Sequence, residues 1–457
     1  MLFAEEGALL PARWQMTVSL GSHIVLACFG VAFPVVIWVL HRRGIRDDDA
    51  VALGLAKRWS KVAAVLFAVG AVSGTILSFE MGLLWPEFMR VYGDVIGLPF
   101  ALEGIAFFVE AIFIGIYLYG WDRLPPRVHL AMLVPIGIAG VVGTFCVLAV
   151  NAWMNAPTGF RMDAGRVVDV DPWAAMFNPR VWLQFAHMWV ATFMVVGFAT
   201  AAVYAVGLLR GRDDRHHRLG FVVPFAFATV AALAQPVVGH VLGMRLHGDQ
   251  APKLAAIDLA VETESPSPLV IGGILIDGER RFAIEIPRLG SLISRASPDR
   301  PVTGLADLPS EDRPGDGLAT MVHLSFQAMV AIGVALAGLS AAFWWARRRG
   351  RDWLRQRWFL RASVAAAVGA VLALELGWIV TEVGRQPWIA YDHMRVEDAV
   401  TGNGGVWISF TVLVIVYTAM TVGAALVLRS MARRWRSGEP LDLPTPYDTA
   451  RDMDVPR

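Results

Sequence analysis

Nine apolar stretches divide the chain, at 16–40, 62–84, 100–119, 128–154, 181–209, 219–241, 321–346, 359–381 and 406–428. Each reaches across a bilayer core of about 30 Å at a rise of about 1.5 Å per residue. Lipid offers exposed backbone groups no partner, so all nine are expected to be helices. The pattern predicts an all-α integral membrane protein with about nine transmembrane helices. Three sections follow: the first six helices (1–243), a loop (244–320), and the last three helices with a tail (321–457). The loop is too long for a bare link and is expected to fold on the outer surface. Within it, 269–276 and 281–286 flank Asp277-Gly278, a β-hairpin signal.

Composition agrees: 56% of the 457 residues are hydrophobic and only 17% charged, unlike a soluble domain. A net charge of +1 gives no support to nucleic acid as a partner. Cys28 and Cys146 both fall in apolar stretches, which argues against a disulfide framework or a thiolate metal site. No Cys-x-x-Cys-His occurs, so nothing signals covalently attached haem. Residues 1–15 are too acidic for the first part of a secretory signal, and the first apolar stretch reads as retained.

Charge fixes the orientation. Arg42, Arg43, Arg46, Lys57, Arg58 and Lys61 follow the first span, and Arg123 and Arg127 the third. Arg210 to Arg218 follow the fifth, Arg347 to Arg357 the seventh, Arg429 to Arg436 the ninth. All of these fall on one side, which predicts an outside N-terminus and a cytoplasmic C-terminus.

With that orientation, the intramembrane polar residues are unevenly placed. His23, Glu103, His187, Met329 and Glu382 fall in the outer half, with Glu80, His240 and Glu375 adding to that side. Glu110, seven residues beyond Glu103 on the same helix face, lies roughly 10 Å deeper, near the midplane. Taken singly, a buried His packs as often as it ligates, and a Met is core filler far more often than a ligand. A buried Glu serves equally as a protonated helix contact. Together, imidazole, thioether and carboxylate at similar depth form a ligand kit for haem iron. Glu103 and Glu110 read as a route for protons. Glu382 ends its helix just before Gly384, with Arg385, Gln386 and Trp388 at the boundary; interfacial anchoring accounts for that as well.

The ordered motifs resemble subunit I of the cytochrome bd quinol oxidases, nearly end to end. They are Arg13-Trp14-Gln15 through His23, Gly97-Leu98-Pro99-Phe100-Ala101-Leu102-Glu103-Gly104 through Glu110, and Gly120-Trp121-Asp122-Arg123. Asn151-Ala152-Trp153-Met154, Gln184-Phe185-Ala186-His187, Ser325-Phe326-Gln327-Ala328-Met329 and Gly384-Arg385-Gln386-Pro387-Trp388 complete them. The resemblance implies a terminal oxidase subunit of the bacterial cytoplasmic membrane. Quinol is oxidised on the outer side and dioxygen reduced to water, which contributes to a proton gradient. It implies two b-type haems and one haem d, or a third b-type haem in its place. His187 and Met329 would ligate the low-spin haem. His23 and Glu382 would each hold one high-spin haem, with Glu103 at or beside a second face. Arg13 and Arg385 would neutralise propionates, Trp378 would pack among the haems, and Glu110 would deliver protons. Lys253 and Asp258, in the loop, would bind and deprotonate quinol. A homologous subunit II, and in some complexes a small accessory subunit, would be partners.

Three departures stand out. Asp258 replaces a common Glu, shortening its reach. Gln327 replaces an Arg found two residues before the Met in some members, removing a charge near the low-spin haem. Ala111 replaces a Ser after Glu110. The short loop resembles the cyanide-insensitive branch. Two other readings stay open at this point: a transporter with an acidic ion path, and a haem electron carrier without quinol oxidation. The first has no use for His187 with Met329, and the second none for Lys253 with Asp258.

Overall fold

The computed structural model describes residues 7–297 and 299–437. The chain runs α1 (Leu9–Arg46), α2 (Ala50–Leu84), α3 (Pro86–Tyr119), α4 (Pro126–Ala131) and α5 (Leu133–Asn155). A hairpin of β1 (Arg161–Asp163) and β2 (Arg166–Val168) leads through α6 (Pro172–Met176) to α7 (Val181–Leu209) and α8 (Arg215–Asp249). The longest interhelical segment holds α9 (Ala251–Asp258), β3 (Leu269–Ile276), β4 (Glu279–Ile286) and α10 (Leu289–Arg295). Then come α11 (Asp316–Arg348), α12 (Arg357–Val383), β5 (Trp388–Ala390), β6 (Met394–Arg395), α13 (Val396–Ala399) and α14 (Val406–Arg436). Among the described residues, nine helices are long and apolar enough to cross a membrane, α4 with α5 counting as one. The tail expected in the cytoplasm lies outside the described residues beyond Ser437.

The spans outrun their apolar stretches. α3 opens at Pro86 rather than at 100, with Pro in its first turn and Glu87 beside it. Both favour a helix start: proline lacks the N–H that would go unbonded, and the carboxylate meets the positive helix end. α8 runs on to Asp249 and α11 opens at Asp316, so the interhelical segment is shorter at both ends than 244–320. Periodicity of apolar residues marks where a helix meets lipid, and polar turns extend it beyond.

Short links, 47–49, 120–125, 210–214 and 349–356, gather at the Arg-rich face. The first is locked by Asp49, which caps α2 by accepting from the Ala52 N–H at 3.2 Å. The same side chain, almost fully buried, accepts from Arg43 at 3.0 Å and from Arg215 of α8 at 2.6 Å. The main apolar core is built from α1, α2, α7, α8, α11 and α12 with residues of α3 and α5, and its aromatic rings gather toward this face. Phe33 stacks on Trp59 at 5.6 Å, Phe221 on Phe225 at 4.7 Å and Phe343 on Phe359 at 5.8 Å.

The opposite face carries the long segments. The β3–β4 hairpin forms around Asp277-Gly278 with Leu269 opposite Ile286 and Ile276 opposite Glu279. It is fastened to one stripe of α11 by side chains standing in for a neighbouring strand. Asp316 accepts from the Gly278 N–H (2.8 Å), Thr320 from Leu275 (2.9 Å) and Gln327 Oε1 from Gly272 (2.7 Å). Gln327 Nε2 donates back to the Val270 carbonyl. His323, buried, faces the Gly272 carbonyl with Nε2 (2.8 Å) and the Ile257 carbonyl of α9 with Nδ1 (2.7 Å). Both amide ends of Gln327 are therefore committed to the hairpin.

Candidate functional site

Three of the candidate ligands sit against glycine. A Cβ on Gly74 of α2 would come within 2.9 Å of the His23 ring, whose Nδ1 pairs with the Ser73 hydroxyl at 2.9 Å. A Cβ on Gly239 of α8 would meet the His187 ring at 3.2 Å, and one on Gly377 of α12 would meet Met329 Sδ at 3.1 Å. Gln235 Nε2, in the turn before Gly239, lies 3.2 Å from His187 Nε2 and donates to the His187 carbonyl at 3.3 Å. His187 on α7 and Met329 on α11 come from helices that both pack on α8 and on α12.

Glu382 ends α12 inside a polar network. Its Oε1 accepts from Asn151 Nδ2 at 2.5 Å and its Oε2 from Arg385 Nη2 at 2.7 Å. Gln386 Nε2 donates to the Glu382 carbonyl (3.3 Å), and Arg13 Nη2 donates to Gln386 Oε1 (2.8 Å). Arg13, Glu382 and Arg385 are thus one cluster. Trp378, one turn before Glu382, packs on the main core. From Asn151 the network continues one helical turn along α5. Asn155 Nδ2 donates to the Asn151 carbonyl (2.8 Å), while Asn155 Oδ1 accepts from Lys253 Nζ (2.5 Å) and Gln250 Nε2 (3.0 Å). Lys253, buried in α9, reaches over Gly384, where a Cβ would come within 3.0 Å of its Cγ. Burial, with the nearby Arg385 and Arg180 guanidinium groups, holds its amine well below the usual lysine range.

Lys253 and Asp258 have different hydrogen-bond partners in the structure. Five residues along a helix turn the side chain by about 140°, so the two point to different neighbours. Asp258 accepts from the Ser294 hydroxyl of α10 at 2.9 Å. Burial pushes its carboxyl up to about 6, the Ser294 bond opposing that shift. Glu103 is half-buried on α3. Glu110, further along the same helix, lies where a Cβ on Gly30 of α1 would meet its Oε1 at 3.2 Å, and that oxygen is buried without a hydrogen-bond partner.

These residues fit haem. Among the described residues no three His, Cys, Asp or Glu side chains converge on a metal ion. Single donors spread over several helices are what iron needs when a porphyrin supplies its equatorial ligands. Arg385 is 4% exposed, and its Nη1 is buried with no partner, so it suits a carboxylate of a bound group. Reading the sequence alone assigned no role to Asn151, although it lies in a quoted motif, nor to Asn155, Gln235 or Gln250. The i, i+4 spacing of the two asparagines on one helix face was the available signal.

Comparison with known proteins identifies the family. The family model for cytochrome bd terminal oxidase subunit I matches residues 11–435. A Bacillus subtilis chain provisionally assigned as a cytochrome bd menaquinol oxidase subunit I is 34% identical, over 92% of this chain and 95% of its own. Subunit 1 of the cytochrome bd ubiquinol oxidase of the same organism is 28% identical, over 92% of each. The structure of bd oxidase from Geobacillus thermodenitrificans superposes with a TM-score of 0.87 at 36% identity, covering 94% of this chain and 99% of that one. The chain belongs to the cytochrome bd terminal oxidase subunit I family, the haem-bearing subunit of quinol:oxygen oxidoreductases.

Proposed function

We propose that quinol oxidation takes place at the long-segment face, outside the membrane, and that protons for dioxygen reduction enter from the Arg-rich, cytoplasmic face. The observation that carries this reading is the placement of the candidate ligands. His23, His187, Met329 and Glu382 sit in the half opposite the Arg-rich links, each held by glycine, amide or hydroxyl neighbours. His187 and Met329 hold the low-spin b-type haem; His23 and Glu382 each hold a high-spin haem, of b or d type, with Glu103 beside one of them. The bound haems supply electron transfer and the site of dioxygen chemistry.

The side chains do the rest. Asp258, with a carboxyl near 6, is ionised at neutral pH and takes the proton of a quinol hydroxyl docked between α9 and α10. Ser294 orients the carboxylate. Lys253 anchors α9 to Asn155 and so ties the quinol segment to the Asn151–Glu382 network. Arg13 and Arg385 neutralise propionates. Glu110 takes up protons from the cytoplasmic side. Subunit II completes the complex, and the exposed apolar side chains of α2 and α14 (Phe79, Leu83, Ile408 and Ile415) offer it a surface.

The test is steady-state quinol oxidation by the two-subunit complex carrying Asp258→Asn. The reading expects kcat/KM for quinol to fall about 100-fold, within the usual span of general-base catalysis, with the reduced haem spectrum unchanged. Unchanged kcat/KM would remove Asp258 from the quinol site.

A further inference from the structure

Below Glu110, on its Arg-rich side, lies a cavity of about 30 Å³, room for about two water molecules. Its walls are apolar side chains of α1, α2, α3 and α5, interrupted by Glu110, Ser60 and Tyr117. The buried, unpartnered Glu110 oxygen is at one end of α3's contribution to the wall, and Tyr117 is two turns further toward the cytoplasmic face. A water needs two or more polar partners to stay in such a space. Glu110, Tyr117 and Ser60 are the lining residues that carry such groups, and the Ser60 hydroxyl donates its own proton to the Lys57 carbonyl at 2.8 Å.

The Tyr117 hydroxyl is not a dead end. It pairs with Nδ1 of His41 on α1 at 2.9 Å. Tyr117 and His41 are each 2% exposed, a costly place for an imidazole on a helix that lipid surrounds. The pair is held in a ring cluster: His41 stacks on Trp121 at 4.8 Å, and Tyr117 on His129 at 4.5 Å. His129 Nε2 lies 2.7 Å from the Tyr117 carbonyl and fixes the start of the link after α3. On the Arg-rich face Lys57 and the exposed Asp122 pair at 3.1 Å. Trp121 has His41 against its ring and the Lys57 amine 5.7 Å from its centroid.

We propose that His41 and Tyr117 form a proton relay that delivers protons to Glu110 through the cavity. In its resting form His41 carries its proton on Nδ1 and donates it to the tyrosine oxygen, while Nε2 is unprotonated. A proton from the cytoplasmic side adds to Nε2, and the Nδ1 proton passes to the tyrosine oxygen. The tyrosine proton passes to cavity water, which gives one proton to the Glu110 carboxylate. His41 is left neutral with its proton on Nε2, and the resting tautomer returns when that proton is exchanged for one on Nδ1. One proton moves and no group is consumed. This relay rests on the reading of Glu110 as a proton acceptor.

The experiment uses the two-subunit complex with Tyr117→Phe, which removes only the hydroxyl, beside Glu110→Gln and His41→Gln. Turnover at saturating quinol, KM for quinol and the reduced-minus-oxidised haem spectrum are read for each. The relay expects Tyr117→Phe and His41→Gln to lower kcat at least tenfold with KM and haem bands unchanged, and Glu110→Gln to do the same. A fall in all haem bands with one variant would mark misfolding, and the other variant then decides. If Glu110→Gln is slow but the fully haem-loaded Tyr117→Phe is not, the relay is wrong and Glu110 receives protons by another way. If none of the three is slow, the Glu110 reading itself fails, and the relay with it.

Discussion

Around Phe33, Phe225, Phe343 and Phe359 the Arg-rich half of the bundle is packed ring against ring. Around Asn151, Asn155 and Glu382 the opposite half is packed amide against carboxylate. The first arrangement is mostly apolar, its buried polar groups confined to local pairs such as His41 with Tyr117 and Asp49 with Arg215. The second buries Lys253, Arg385 and Asn155 at a desolvation cost that only a complete set of partners offsets. Under the proposed function, that cost is accepted where side chains face iron, propionates and quinol. The difference separates what holds the bundle from what does its chemistry, and substitutions in the two halves should give different signatures.

The largest effect is expected from Glu382→Ala. It removes a candidate iron ligand and leaves Arg385 buried without its carboxylate, a loss of about 3–5 kcal/mol for a broken buried pair. Quinol oxidase activity of the complex should vanish, and the bands of one high-spin haem with it, while the low-spin bands persist. Retention of every haem band would take Glu382 out of the ligand set.

Phe359→Ala, in the Arg-rich core, probes the opposite case. Its ring is fully buried and touches Phe221, Phe225 and Phe343. Loss of about 3–5 kcal/mol is expected for truncating such a ring, read as a lower unfolding temperature in detergent. The folded fraction should keep an unaltered haem spectrum. A spectral change at unchanged thermal stability would contradict the division between the halves.

Asn155→Ala should cost less, about 1–3 kcal/mol for the stranded Lys253 and Gln250 donors. Because those donors belong to α8–α9 and the quinol segment, KM for quinol should rise several-fold and the segment 250–315 should become more open to protease. No change in either would make Asn155 ordinary packing.

The smallest effect is a pH dependence. The folded-state carboxyl of Asp258 is raised from 3.8 to about 6 by burial. A group raised in this way adds stability below its unfolded value of 3.8, and that stability is lost as pH rises through 6. The α9–α10 contact should therefore loosen above pH 6, while the base form needed for quinol accumulates over the same range. The rate at low quinol should climb through pH 6, and Asp258→Asn should flatten that limb. A wild-type limb unmoved by Asp258→Asn would assign it to another group.

The bundle was legible because lipid-facing helices must be apolar for about twenty residues, and nine stretches were. The hairpin was legible from Asp277-Gly278 between two apolar stretches; the first strand lies where the pattern put it and the second opens two residues earlier, at Glu279. The polar overhangs of α3, α8 and α11 were not, since nothing apolar marks them. The individual ligand candidates stood out as polar residues in apolar surroundings. Their network did not, because Asn151, Lys253 and Glu382 are far apart in the chain and meet only through packing. Lys253 and Asp258 were assigned to one quinol segment through the family resemblance, and what the sequence did not show is that their side chains bond to different neighbours, Asn155 and Ser294. Gln327, read from the sequence as removing a charge near the low-spin haem, also fastens β3 with both ends of its amide, which the sequence did not show.

The most direct test of the account is the dithionite-reduced minus air-oxidised spectrum of the purified two-subunit complex, wild type against His187→Ala. The account predicts a low-spin b-haem band in the wild type that disappears in the variant, with the high-spin bands retained. A low-spin band that survives His187→Ala would contradict the placement of the redox centre in the polar half of the bundle.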